Sequence, residues 1–341
     1  MITRNSTIRE GAIRSTIHHP IHLLDRVAMS AMRLMISSMK GSVTGPSARE
    51  PFDELMGKTP AADGVTYEEA EVGGVAGWWC RPDDAVAGAA ILYFHGGAYV
   101  VGSARAYQHF VGQVAAPAMV AALVPEYGLA PEHPFPAAVD EAQACSGGLV
   151  DKGFGKIALA GDSAGGGLAL VLLSLLVAKA RAVSMLRPAG AAVMSPWTDL
   201  ALSGMSMETR AEADPLLTKE SLASTARLYL GGHDPRDPLA SPLFGDLAVL
   251  PPVRMHVGED EVLLDDSLRY GERIESQGGT VQIHTWQGMT HVFPSNVTLL
   301  HAAKEALDDI GNFLRQQFVG DPDDERNLIS RSTANIEGRL R

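Results

Sequence analysis

Cysteine is almost missing from this chain. There are two in 341 residues, Cys80 and Cys145. Neither sits in a C-x-x-C pair or has a histidine at metal-ligand spacing. That excludes a disulfide framework and a thiolate metal site, and it predicts two reduced, buried thiols in a cytoplasmic protein. Positive charge is also short: 28 Lys and Arg against 40 Asp and Glu, a net charge of −12. Nucleic acid and anionic membrane surfaces reward clustered cations, so neither is an expected partner. No apolar run approaches the length of a membrane span. The most apolar N-terminal stretch, residues 27–39, is broken by Arg33 and has no small-residue cleavage pattern after it, so it does not read as a secretory signal. No internal repeat is visible. Residues 320–341 lack a periodic face and read as a mobile tail.

What is present is an ordinary globular composition, 46% hydrophobic and 20% charged. From residue 65 onward, strand-like and helix-like runs alternate. Strands are expected at 65–72, 77–81, 89–94, 119–127, before Ser163, at 189–194, 253–257 and 281–286. Helices are expected at 136–149, after Ser163, from Asp265 or Asp266 to the glycines at 278–279, and at 296–318. Such alternation predicts an α/β protein with a mostly parallel sheet covered on both faces. Nearly sixty residues separate the strand ending at Met194 from the one starting at Val253, far more than the usual connection of about 4–6 residues. An insertion at the carboxyl edge of a parallel sheet covers the site there. Residues 21–39 carry apolar side chains at Ile21, Leu24, Val27, Ala28, Ala31, Leu34 and Met35, one dominant helical face to be buried. Together the two segments are expected to form a lid. The resulting division is 1–55 N-terminal lid helices, 56–195 and 253–319 α/β core, 196–252 lid insertion and 320–341 tail.

The most informative residues are Gly161-Asp162-Ser163-Ala164-Gly165, between a buried strand and a helix-forming run. A serine on a sharp strand-to-helix turn is strained and lifted over the sheet. The residues two before and two after must lack side chains so that the elements can cross. The Ala164 amide then points where an oxyanion would sit. A serine nucleophile needs a base, a group that orients the base, and amide donors for the oxyanion. His95-Gly96-Gly97-Ala98-Tyr99, directly after a strand, is the expected donor turn. Of eleven histidines, His291 lies on the loop after the last strand, where a base belongs. His95 and His133 are expected to be structural, and His256 and His284 to be packed within strands. Five carboxylates, Glu259, Asp260, Glu261, Asp265 and Asp266, crowd one loop, the last two as expected helix caps.

Six blocks in this order, HGGAY at 95–99, EYGLAPEHPFPAA at 126–138, GDSAGG at 161–166, SPWTDL at 195–200, GEDEVLLDD at 258–266 and GMTHVF at 288–293, give the chain a resemblance to the hormone-sensitive-lipase-like carboxylesterases of the α/β-hydrolase superfamily. The resemblance covers roughly residues 65–315. It implies an eight-stranded α/β-hydrolase core with a lid from the N-terminus and an insertion after the sixth strand. It also implies Ser163 as nucleophile, His291 as base, and the amides of Gly97, Ala98 and Ala164 as oxyanion donors. The family's spacing of its acid, two residues before Leu and four before Asp, selects Glu261, with Asp260 as the alternative. Tyr99 and Trp197, beside these motifs, are expected pocket walls. Where many members carry Arg, this chain has Gly128, so the nearby acidic residues are expected to pair differently. The implied activity is hydrolysis of short- to medium-chain esters through an acyl-enzyme, with a small-molecule ester as partner, no cofactor, no metal, and homo-oligomerisation left open. Lactone or amide hydrolysis by the same residues, and ligand binding without catalysis, are the alternatives.

Overall fold

The computed structural model describes residues 13–182 and 188–319; the tail assigned to 320–341 lies outside them. The sheet contains strands β1 (Ile13–His19), β2 (Val65–Val72), β3 (Val75–Pro82), β4 (Ala89–Phe94), β5 (Ala121–Pro125), β6 (Lys156–Asp162), β7 (Ala191–Met194), β8 (Val253–Gly258) and β9 (Thr280–Trp286). They lie in the order β1-β9-β8-β7-β6-β4-β5-β3-β2. Among the described residues, only the β2–β3 and β3–β5 pairings are antiparallel. This is the sheet that the resemblance implies, with one correction: the described residues form nine strands, not eight. The additional strand is β1, which pairs in parallel with β9 at the sheet edge. It comes from the segment expected to be lid. Its sequence, Ile-Arg-Ser-Thr-Ile-His-His, has no apolar alternation to announce it, because an edge strand gains its place from backbone pairing on one side.

The central strands β4, β5 and β6 are almost wholly buried, as parallel strands covered on both faces must be. Helices α3 (Ala104–Ala118) and α9 (His301–Val319) cover one face. The other carries α4 (Ala137–Asp151), α5 (Ser163–Ala182) and α8 (Leu264–Ser276). Cys80 in β3 and Cys145 in α4 are buried and free. The stretch Ser163–Arg181 within α5 is long and apolar enough to cross a membrane, contrary to the reading that no run approaches that length. Most of it is buried inside this protein, as a helix apolar on all sides should be.

Among the described residues, the other α-helices belong to two segments. The N-terminal one carries α1 (Leu23–Ile36) and α2 (Arg49–Met56); the insertion between β7 and β8 carries α6 (Ser206–Thr209) and α7 (Lys219–Leu230). Hydrogen bonds join them: the Gly41 amide donates to Leu216 O at 2.8 Å, and the Lys40 side chain donates through Nζ to Ala211 O at 2.6 Å. Most of the face of α1 expected to be buried is exposed. Of the residues expected there, Leu24, Val27, Leu34 and Met35 are 60–81% exposed, while Ile21 and Ala28 are half-buried; Asp25 and Met29 on the other side are buried. Both oxygens of Asp25 accept amides at the head of α9, those of His301 (2.8 Å) and Ala302 (2.9 Å).

Candidate active site

Ser163 is the first residue of α5, directly after β6, with φ +52°. The two flanking glycines are required by space. A Cβ on Gly161 would lie 2.5 Å from Gly165 O, and one on Gly165 would lie 2.1 Å from Phe94 O. The turn therefore presents Oγ at the carboxyl ends of the strands. His291 Nε2 lies 2.9 Å from Ser163 Oγ. The hydroxyl donates when the ring proton is on Nδ1, the tautomer that a carboxylate beside Nδ1 favours. That carboxylate is Glu261, whose Oε2 is 3.4 Å from His291 Nδ1. This is longer than a good hydrogen bond, in keeping with catalytic pairs that tighten only on substrate.

Both groups are buried. Burial pushes the Glu261 carboxyl above its ordinary range, against the opposing effects of His291 and Ser195. For His291, burial alone would lower the pKa, but Glu261, with Asp214 and Asp162 further off, raises it above the ordinary histidine value.

The alternative carboxylate has a different partner: Asp260 Oδ2 accepts from Arg33 Nη2 at 2.6 Å. Asp265 and Asp266 are not caps of α8, whose N-cap, Leu263, makes no side-chain bond. Asp266 is buried and accepts the amides of Thr198 (2.8 Å) and Asp199 (2.9 Å), and Asp265 accepts that of Ser206 at 3.0 Å. Both carboxylates hold the insertion to the core.

Gly97 has φ +112°, and a Cβ there would meet Val101 O at 2.1 Å. With Ala98 (φ +53°) it lines the same cavity as Ser163 and His291. The amides of Gly97, Ala98 and Ala164 take no protein acceptor among the described residues. His95 is buried, stacked on Tyr127 at 4.3 Å, and pushed down to about 4 by burial, which makes it a neutral structural ring. His256 is packed and bonded as expected, to Asp309 at 2.9 Å and to Trp286 Nε1 at 3.2 Å.

Two functional neighbours escaped the sequence reading. Ser195 Oγ donates to Glu261 Oε2 at 2.8 Å and accepts the Val292 amide at 3.1 Å, so it ties the acid to the histidine loop. Asp162 accepts from Tyr93 (2.8 Å), Tyr107 (3.1 Å) and the Gly96 amide (3.1 Å), anchoring the turn that carries Gly97. Burial raises its carboxyl to about 6. Both residues lie inside motif blocks already singled out; their partners are remote in sequence.

The cavity measures about 170 Å³. Its apolar walls come from the N-terminal segment (Met39, Val43, Phe52, Met56) and from the insertion (Leu216, Leu217, Leu222). Tyr99 and Trp197 are not among the lining residues, which corrects the expectation. Both are fully buried. Tyr99 stacks on Tyr229 at 3.8 Å, and Trp197 Nε1 donates to Asp199 O at 3.1 Å. The Gly128 amide donates to Glu141 at 2.5 Å, while Glu132 pairs with Arg49.

Two groups, His22–Asp25–His301 and His256–His284–Asp309, bring potential metal-ligating atoms within 4.8 Å of one another. Neither includes a residue lining the Ser163 cavity. Asp25 is engaged with the head of α9, and Asp309 with Arg254 and His256.

A profile describing the α/β-hydrolase fold matches residues 91–295. A protein named acetyl-hydrolase from Streptomyces hygroscopicus is 39% identical over 270 residues, 79% of this chain and 86% of that one. A protein named esterase from Acinetobacter venetianus is 34% identical over 272 residues, 79% and 88% of the two chains. Among solved structures, an esterase from the bacterial hormone-sensitive lipase family superposes with a TM-score of 0.78 at 35% identity, covering 85% of this chain and 98% of that chain.

Proposed function

The chain belongs to the hormone-sensitive-lipase-like branch of the α/β-hydrolase family and is an ester hydrolase; on that premise we propose that it cleaves short- to medium-chain carboxylic esters through an acyl-enzyme on Ser163. The observation that carries this reading is the 2.9 Å contact between His291 Nε2 and Ser163 Oγ beside three unclaimed amides.

Ser163 Oγ attacks the ester carbonyl carbon as its proton passes to His291 Nε2. The carbonyl π pair moves onto oxygen, where the Gly97, Ala98 and Ala164 amides receive it; one such donor is worth about 10²–10³ in rate. Collapse reforms the carbonyl and breaks the bond to the alkoxy oxygen, which takes the proton from His291 and leaves as alcohol. Water repeats the sequence on the acyl-enzyme and releases the acid. Glu261 stays ionised, holds the Nδ1 proton and stabilises the imidazolium. The N-terminal segment and insertion act as the lid that bounds the acyl chain. Each buried methylene adds about 0.8 kcal/mol until the cavity ends, so kcat/KM is expected to peak between butyrate and octanoate.

Ser163→Ala tests the reading. It should fold, lose activity by about a thousandfold or more, and no longer take up an organophosphonate label. A folded variant that keeps more than a few per cent of kcat overturns the mechanism.

A further inference from the structure

Arg33, which breaks the apolar run of α1, is the point where four segments meet. Its Nη2 donates to Asp260 Oδ2 at 2.6 Å and to Gly288 O at 3.3 Å, and its Nη1 donates to Ala213 O. Asp260 directly precedes Glu261. Gly288 lies on the loop that leads to His291. Ala213 directly precedes Asp214, a buried residue of the insertion. Asp214 Oδ2 accepts the amide of Val262, the residue after Glu261, at 2.9 Å. Its Oδ1 accepts the amides of Leu216 (2.8 Å) and Leu217 (2.9 Å), whose side chains line the cavity. One guanidinium on the N-terminal helix thus spans the acid loop, the histidine loop and the insertion.

We infer that Arg33 is a positioning residue: by holding these loops in one register it sets the alignment of Glu261 with His291, so that seating α1 and assembling the catalytic pair are one event. Two features favour this over a simple surface anchor. The Arg33–Asp260 pair is part-exposed, 28% and 27%, and part-exposed ion pairs contribute little to stability. The Glu261–His291 separation of 3.4 Å is already long, so a small drift of either loop breaks the contact. Losing alignment at a reacting centre by about 1 Å costs up to about a hundredfold in rate.

The test is Arg33→Met, which keeps the length of the stem and removes every donor, assayed on p-nitrophenyl butyrate across pH with the melting temperature measured alongside. Expected are a fall in kcat of about tenfold to a hundredfold, KM within about threefold, and a melting temperature close to that of the parent. The acidic limb of kcat/KM should move to lower pH, because Glu261 no longer holds up the His291 pKa. Arg33→Lys should keep part of the rate, and millimolar guanidinium should partly restore Arg33→Ala. If Arg33→Met does not fold, Arg33→Lys and Asp260→Asn carry the same comparison of kcat, KM and limb position. A kcat within twofold of the parent with an unmoved limb overturns the inference, as does a loss of rate matched by a collapse in melting temperature without guanidinium rescue. The inference rests on the Ser163–His291–Glu261 reading. An active Ser163→Ala would defeat that reading, whereas an unimpaired Arg33→Met beside an inert Ser163→Ala would defeat only the role of Arg33.

Discussion

Helices α5 and α1 are both apolar, and they meet opposite fates. α5 is buried along most of its length in the middle of the molecule and carries Ser163 at its head. α1 turns Leu23, Leu24, Val27, Leu34 and Met35 to solvent and is held by Asp25, Met29 and Arg33 on its other side. Apolar periodicity tells which residues share a face. Which face is covered depends on what the rest of the chain offers, and here α9 and the catalytic loops offer amides, carbonyls and a carboxylate. On the proposed mechanism, Ser163 stands on a core that tolerates little change, while the loops carrying Glu261 and His291 are aligned by a helix held at a few points.

A graded series of substitutions sharpens this contrast, read by denaturant unfolding. Leu172→Ala removes a fully buried side chain of α5 and should cost about 2–5 kcal/mol. Asp25→Ala leaves the two amides at the head of α9 without their acceptor and should cost about 1–3 kcal/mol. Leu34→Gln, on the exposed face of α1, should change stability by less than about 0.5 kcal/mol. A cost at Leu34 comparable to that at Leu172 would mean that the outer face of α1 is packed after all.

The pH dependence of activity follows from the same arrangement. In the proposed mechanism His291 must be neutral to accept the Ser163 proton, and its folded pKa lies above the ordinary histidine value because Glu261 outweighs the effect of burial. Activity should therefore rise with pH along a limb centred above the ordinary histidine pKa of about 6.5. A limb below that value would show that Glu261 is not ionised beside the ring.

Much of this was legible in the sequence because it is local. The elbow needs its two glycines within four residues, and buried strands such as β4 and β6 advertise themselves as apolar runs. The loop position of His291 follows from the last strand. What stayed hidden depends on partners far along the chain. Asp25 serves a helix that begins 276 residues later, and Arg33 serves a carboxylate 227 residues away. β1 is placed by pairing with β9 rather than by its own pattern. Tyr99 and Trp197 misled for another reason: adjacency to a motif says nothing of side-chain direction, and Tyr229 from the insertion stacks on Tyr99 and closes over it.

The most direct test of the account is a side-by-side kcat/KM measurement on Glu261→Gln and Asp260→Asn, both shown to be folded. The two carboxylates are neighbours in sequence, but one faces His291 and the other faces Arg33. The account predicts a loss of about a thousandfold or more for Glu261→Gln, since the imidazolium loses its counter-charge. For Asp260→Asn it predicts a loss no larger than about a hundredfold, since that change acts only through alignment. The reverse order would contradict it and move the acid of the triad to Asp260.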